Sequence, residues 1–332
     1  MRIFWVTPSN RTVPIANRFG GVLYEPVKNE KLTTKEFLPD NFKAAFDKCD
    51  TLVVNGTWGG ERRKAHVKPD LNYEGKIASY IMLSSYLDMF NQHLVSLAKE
   101  QEKKIISIES PTISRCLFNN FKNHSTKSHV RMSLDHWTWG QGKFIKRPDP
   151  EFPQTIANIG KTSFLNHTWR NNKDGNVLII GGLPWDPTST IEVEDFIEHS
   201  IKQIKLVTDR PIVVKVHPGC KIDMSYITDK YDNVTLLNRH TKLQSLYKDT
   251  FAAVIDNSTS CFELLEAGIP VFCSSDSFCE GLGNLDVSKI ERPYYAEPGE
   301  VVKWANTMSM TEFDKSNHNS MIHYFEKLLY MP

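Results

Sequence analysis

The chain has 332 residues, 40% of them hydrophobic and 24% charged, a composition that excludes a disordered chain and a length that suits two domains better than one core. Net charge is +1 but unevenly divided: residues 1–150 hold 23 Lys and Arg against 15 Asp and Glu, a net +8, and the remainder holds 17 against 24, a net −7. An anionic partner for the first half, or simple surface solvation, would each account for that split. No apolar run of about 18 residues occurs, so no integral membrane segment is expected.

Met1–Val6 is apolar and stops at Thr7-Pro8. It is too short for a signal-peptide core and reads as a first buried strand, which leads us to expect a cytoplasmic protein. A second strand covers Thr51–Val54 and ends in Asn55-Gly56. Apolar residues then recur at helical spacing between Lys76 and Lys103, and Lys104–Ile108 is again β-rich. Strand, helix, strand is the pattern of a parallel α/β domain. Residues 111–175 are less periodic and are read as the crossover, punctuated by Pro148-Asp149-Pro150 and Pro153. That division gives a first domain of residues 1–150 and a second of 151–332.

The second half repeats the pattern. Strands are predicted at Val177–Ile180, Pro211–Val216, Val234–Leu237, Phe251–Ile255 and Pro270–Cys273. Helices are predicted at Val193–Val207, Leu243–Tyr247 and Cys261–Ala267, the last stopped by Gly268. Several strands end in small or polar residues, where open α/β sheets bind ligands. Six cysteines lie at positions 49, 116, 220, 261, 273 and 279 without any C-x-x-C pair, which fits incidental buried thiols better than a zinc site.

Two constellations carry chemistry. At the end of one strand, Lys215-Val216-His217-Pro218-Gly219 places a histidine where the following proline disfavours further ladder or helix. Its ring either faces a cleft, able to donate to a phosphate, or is structural. At the end of another strand, Ser258, Thr259 and Ser260 lead into a helix, with Ser260 read as N-cap and Glu263 three residues on completing a capping box. Simple capping and phosphate binding both fit that turn.

Together these residues resemble a known family. His217-Pro218, Leu243–Tyr247, Ser258 through Leu265, Gly268-Ile269-Pro270-Val271, Ser277-Phe278 and Gly281-Leu282-Gly283 are similar to the capsule polysaccharide β-Kdo transferases. In the first half Thr57-Trp58-Gly59, Ile106 through Ser110 and Met132-Ser133-Leu134-Asp135 resemble earlier segments of that family, so the likeness spans roughly residues 53–285. It implies two Rossmann-like domains facing a cleft, the GT-B-like arrangement, with a nucleotide-sugar held by the second. His217, Ser258, Thr259 and Ser260 would then contact the donor's phosphates, Glu263 its ribose hydroxyls, and Lys215 would also help to bind the donor. The donor would be CMP-linked by likeness, although a UDP-linked sugar suits the same residues. Further, the likeness implies a retaining reaction with Asp135 as nucleophile and Glu109 as acid/base; on the residues alone, a turn cap and a solvated charge remain open. No Asp-x-Asp stands at a strand end, so neither metal nor other cofactor is expected.

The acceptor would face the basic first half. Arg62, Arg63, Arg115, Arg131 and Trp137 are candidates to contact it. An acidic glycan fits the family likeness, and DNA bearing a hydroxylated base fits basic residues interleaved with aromatics. A sugar-nucleotide epimerase or a non-catalytic binder stays open as another class, because fold alone does not choose among them.

Overall fold

The computed structural model describes residues 1–6, 13–24, 40–55, 91–109, 129–136, 142–144, 164, 167–184, 191–273, 277–279, 281–309, 311–314 and 318–332. In chain order these form β1 (Ile3–Val6), α1 (Val13–Phe19), β2 (Val22–Tyr24), α2 (Asp40–Asp47), β3 (Thr51–Asn55), α3 (helical residues 91–100), β4 (Lys104–Glu109) and β5 (His129–Leu134). Then follow β6 (Asn176–Gly181), α4 (Val193–Lys205), β7 (Ile212–Val216), α5 (Tyr226–Lys230), β8 (Val234–Leu236), a 3-10 turn (Leu243–Asp249), β9 (Thr250–Ile255) and α6 (Ser260–Glu266). The chain ends with β10 (Val271–Phe272), a short 3-10 turn (Val287–Lys289), α7 (Pro298–Ser309), β11 (Glu312–Asp314) and α8 (His318–Tyr330).

Two sheets result. The first has the order β11-β5-β4-β3-β1-β2 and the second β10-β9-β6-β7-β8. The second sheet is parallel throughout. In the first, β1 to β4 are parallel, whereas β5 runs antiparallel to β4 and to β11. Parallel strands buried on both faces read as unbroken apolar runs, and the faces separate by residue parity. In β1, Ile3 and Trp5 enter one core and Phe4 and Val6 the other. In β6, Val177 and Ile179 face the side covered by α4, while Leu178 and Ile180 face the side covered by α6.

Helix α6 ends as the sequence indicates. Gly268 has φ +75°, and its N–H bonds to Leu265 while the next N–H bonds to Leu264. This is the Schellman arrangement, which needs a left-handed residue at that point. A Cβ there would lie 2.2 Å from the Thr168 carbonyl oxygen, so only glycine fits.

The chain's end departs from the division drawn at residue 150. β11 pairs with β5 of the first sheet, and Met321, Tyr324, Phe325, Leu328 and Leu329 of α8 fill the first sheet's core. Phe325 stacks on Trp5 at 5.2 Å, and Lys104 Nζ donates to the Leu329 carbonyl at 2.8 Å near the helix end. Residues from Thr311 onward thus pack with the first sheet, away from the segment that precedes them. Of the predicted 76–103 helix, only 91–103 lie within the described residues, and 91–100 are helical. The linker at 148–153 and Thr57-Trp58-Gly59 lie outside them. No helix among the described residues is long and apolar enough to cross a membrane.

Candidate functional site

The second sheet has a defined ligand edge. From β6 the chain winds outward through β7 and β8, then returns to β9 on the other side of β6. Strand order reverses between β6 and β9, and at such a reversal the carboxyl ends of neighbouring strands leave an open crevice. Gly181-Gly182 ends β6, His217 follows β7, and Asp256 through Ser260 follow β9, so all three converge there. A Cβ at Gly182 would meet no atom of the described residues within 4 Å.

His217 is exposed, and its hydrogen bonding sets its tautomer. Its Nδ1 accepts the Gly219 backbone N–H at 2.9 Å. In the neutral ring the proton must then sit on Nε2, which makes that atom a donor. A Cβ at Gly219 would come within 3.2 Å of Nδ1 and 2.9 Å of the Leu183 side chain, so any larger residue crowds the imidazole. The backbone N–H of His217 bonds to the Gly181 carbonyl at 3.0 Å, which ties the turn to β6.

The serine turn differs from the expected capping box. Helix α6 begins at Ser260, the cap position is Thr259 in helical conformation, and no side chain caps it. Ser258 Oγ instead accepts the Ser260 N–H at 3.3 Å and lies 3.1 Å from Ser260 Oγ. Glu263 does not reach back to the helix start, because other groups hold it. Its Oε2 accepts from Gln244 Nε2 at 2.7 Å and from Tyr247 Oη at 3.3 Å. Burial raises its pKa above the ordinary value, and the bonds from Tyr247 and Gln244 oppose that shift. Gln244 and Tyr247 belong to the 3-10 turn before β9, and their function as holders of Glu263 was not legible in the motif.

Lys215 is buried, with Nζ turned onto the Val216 carbonyl at 3.2 Å and the Arg239 carbonyl at 3.4 Å. Burial lowers its pKa, and the charge of Glu263 partly restores it. Those two carbonyls hold its ammonium at the end of β7.

The first sheet corrects the pairing of Glu109 with Asp135. Glu109 ends β4 on the carboxyl edge and lies opposite Arg131 of β5. Because β5 runs the other way, Asp135 falls beside Ile105, to whose carbonyl its N–H bonds. Four residues along a strand separate the two carboxylates by roughly 13 Å, too far for a nucleophile and acid/base acting on one sugar carbon. Asp135 has φ +69° and pairs with Lys143 at 2.8 Å.

Arg131 is corrected as well. It is 2% exposed, so it cannot meet an acceptor at the surface. Its guanidinium lies 5.9 Å from the Phe144 ring and 5.1 Å from that of Phe278. Phe278 follows the carboxyl end of β10, so the ligand edges of the two sheets meet at this contact, beside Glu109. Arg62, Arg63, Arg115 and Trp137 lie outside the described residues.

Comparison with solved structures decides the fold. A structure of KpsC from Thermosulfurimonas dismutans, described as a β-Kdo 2,7 transferase, matches at 13% identity and TM-score 0.51, covering 97% of this chain and 99% of that one. The fold is GT-B-like. A second Thermosulfurimonas dismutans KpsC structure, described as a β-Kdo 2,4 transferase, matches at 11% identity and TM-score 0.50, over 92% of this chain and 90% of that one. No protein-family model matches the chain, and no curated protein matches it by sequence.

Proposed function

We propose that this GT-B-like chain is a glycosyltransferase that takes a nucleotide-sugar, CMP- or UDP-linked, at the carboxyl edge of the second sheet. The observation that supports the reading is the turn at His217 after the carboxyl end of β7, where Nδ1 accepts the Gly219 N–H and the proton of the neutral ring falls to Nε2. In the reaction the bond from the anomeric carbon to the donor phosphate breaks, and charge develops on the phosphate oxygen. The His217 Nε2–H and the hydroxyls of Ser258, Thr259 and Ser260 stabilise that oxygen without rearranging. Glu263, held on one oxygen by Gln244 and Tyr247, offers its other oxygen to the ribose hydroxyls.

Glu109 ends β4 at the carboxyl edge of the first sheet, opposite Arg131. As acid/base it takes the proton of the acceptor hydroxyl while that oxygen bonds to the anomeric carbon. The acceptor is an acidic glycan, matched to the +8 charge of residues 1–150. DNA bearing a hydroxylated base is the competing acceptor, and an acceptor competition separates the two.

The experiment incubates the chain with CMP- and UDP-linked sugars, with and without acidic oligosaccharides or modified DNA. Release of nucleotide that requires an acceptor supports transfer. Interconversion of the sugar without acceptor would instead make the chain an epimerase, and binding without turnover would make it a non-catalytic binder.

A further inference from the structure

Glu109, Arg131 and Glu312 form a row across three strands. Glu109 of β4 is directly opposite Arg131 of β5, and Arg131 is directly opposite Glu312 of β11. Directly opposed residues share a face of a sheet. Parity confirms which face: Ile106, Ile108, Val130, Met132 and Phe313 all enter the core beneath α8, so the charged row points the other way. Arg131 and Glu312 are each 2% exposed. The register therefore sets Arg131 between two carboxylates on one face of the sheet, where burial lowers the guanidinium's pKa and the charges of Glu312 and Glu109 oppose that shift. The aromatic rings of Phe144 and Phe278 approach the same group, the second of them from the donor-side turn.

We propose that Arg131 is a positioning residue: it orients Glu109 at the meeting of the two ligand edges, and Glu312 sets how much of the guanidinium's charge Glu109 receives. The inference rests on the reading of Glu109 as acid/base. A planar guanidinium with a fork of donors fixes a carboxylate's orientation as well as its charge, which an ammonium does not. Placing the row on β4, β5 and β11 also gives the returning end of the chain a part in the site, since Glu312 reaches Arg131 only when β11 has paired with β5.

The test measures transfer by the full chain and by Glu109→Gln, Arg131→Lys and Glu312→Gln, with nucleotide affinity and thermal unfolding measured alongside. Glu109→Gln should abolish transfer. Arg131→Lys should lower kcat by about 10- to 100-fold, as a misplaced catalytic group does. Its KM for donor and its nucleotide affinity should stay within about twofold, because the donor site is intact. Glu312→Gln keeps the shape of the row but removes one of its two negative charges, so kcat should fall while nucleotide affinity stays within about twofold. Wild-type kcat in Arg131→Lys, or equal losses of kcat and nucleotide affinity, would overturn the proposal. Should Arg131→Lys not fold, Glu312→Gln decides by itself, and wild-type kcat in that variant refutes it. Full transfer by Glu109→Gln would remove the functional reading of Glu109 and this inference together. That outcome is distinct from an active wild type whose Glu109→Gln variant is dead and whose Arg131 and Glu312 variants behave as wild type.

Discussion

His217 and Gly219 are coupled through a single hydrogen bond, and substituting either should damage the same step. Removing one preorganised donor from a developing oxyanion ordinarily lowers kcat by about 10²–10³-fold. We expect a loss of that order in His217→Ala, read as kcat with saturating donor. Gly219→Ala keeps the imidazole but drives a Cβ against its Nδ1, so kcat should fall while thermal stability changes little. Unchanged turnover in Gly219→Ala would show that the ring's orientation does not matter. A second histidine makes a separate prediction. His167 is 3% exposed, its ring nitrogens have no hydrogen-bond partner among the described residues, and Trp169 meets it edge-on at 4.5 Å. Burial lowers its pKa, so the folded state holds it neutral while the unfolded chain takes up a proton below about pH 6.5. Stability from this residue is full above that pH and is lost as pH falls toward the lower folded value. His167→Phe should flatten the decline of melting temperature between pH 7 and pH 5. An identical decline in wild type and variant would contradict the assignment.

Among the elements, the returning C-terminal segment has the largest structural consequence. Phe325 of α8 is fully buried and stacks on Trp5, so Phe325→Ala should cost about 3–5 kcal/mol in denaturant unfolding. A loss under about 1 kcal/mol would mean that α8 is not integral to the first core. The buried parallel strands were legible because each is a continuous apolar run: Ile3–Val6, Val177–Ile180 and Phe251–Ile255 all fall where their sequence puts them. β11 was not legible, since Glu312–Asp314 has only one apolar residue and its partner lies far away in sequence. Strand direction was equally hidden. Nothing in Met132-Ser133-Leu134-Asp135 says that β5 runs against β4, and that reversal alone carries Asp135 away from Glu109. The Ser-x-x-Glu pattern misled for a local reason. Glu263 matches a capping box by spacing, but Gln244 and Tyr247 claim its carboxylate from an element that precedes the strand.

At the scale of the molecule, the two ligand edges touch where Arg131 meets Phe278, and the charge of the chain is divided between its halves. If residues 1–150 bind an acidic glycan through their basic surplus, its affinity should fall as ionic strength rises, whereas nucleotide release from donor alone should change little. Salt-independent acceptor binding would argue against a charged acceptor. The central claim concerns the donor edge, and thermal unfolding with added CMP, UDP and their sugar conjugates tests it most directly. A ligand at about 100 times its dissociation constant adds about 2.7 kcal/mol to stability. We expect at least one of these nucleotides to raise the midpoint of the wild-type chain, with a smaller rise in His217→Ala at the same ligand concentration. No shift with any of them, or equal shifts in wild type and His217→Ala, would contradict a nucleotide-sugar site built on His217 and the turn after β9.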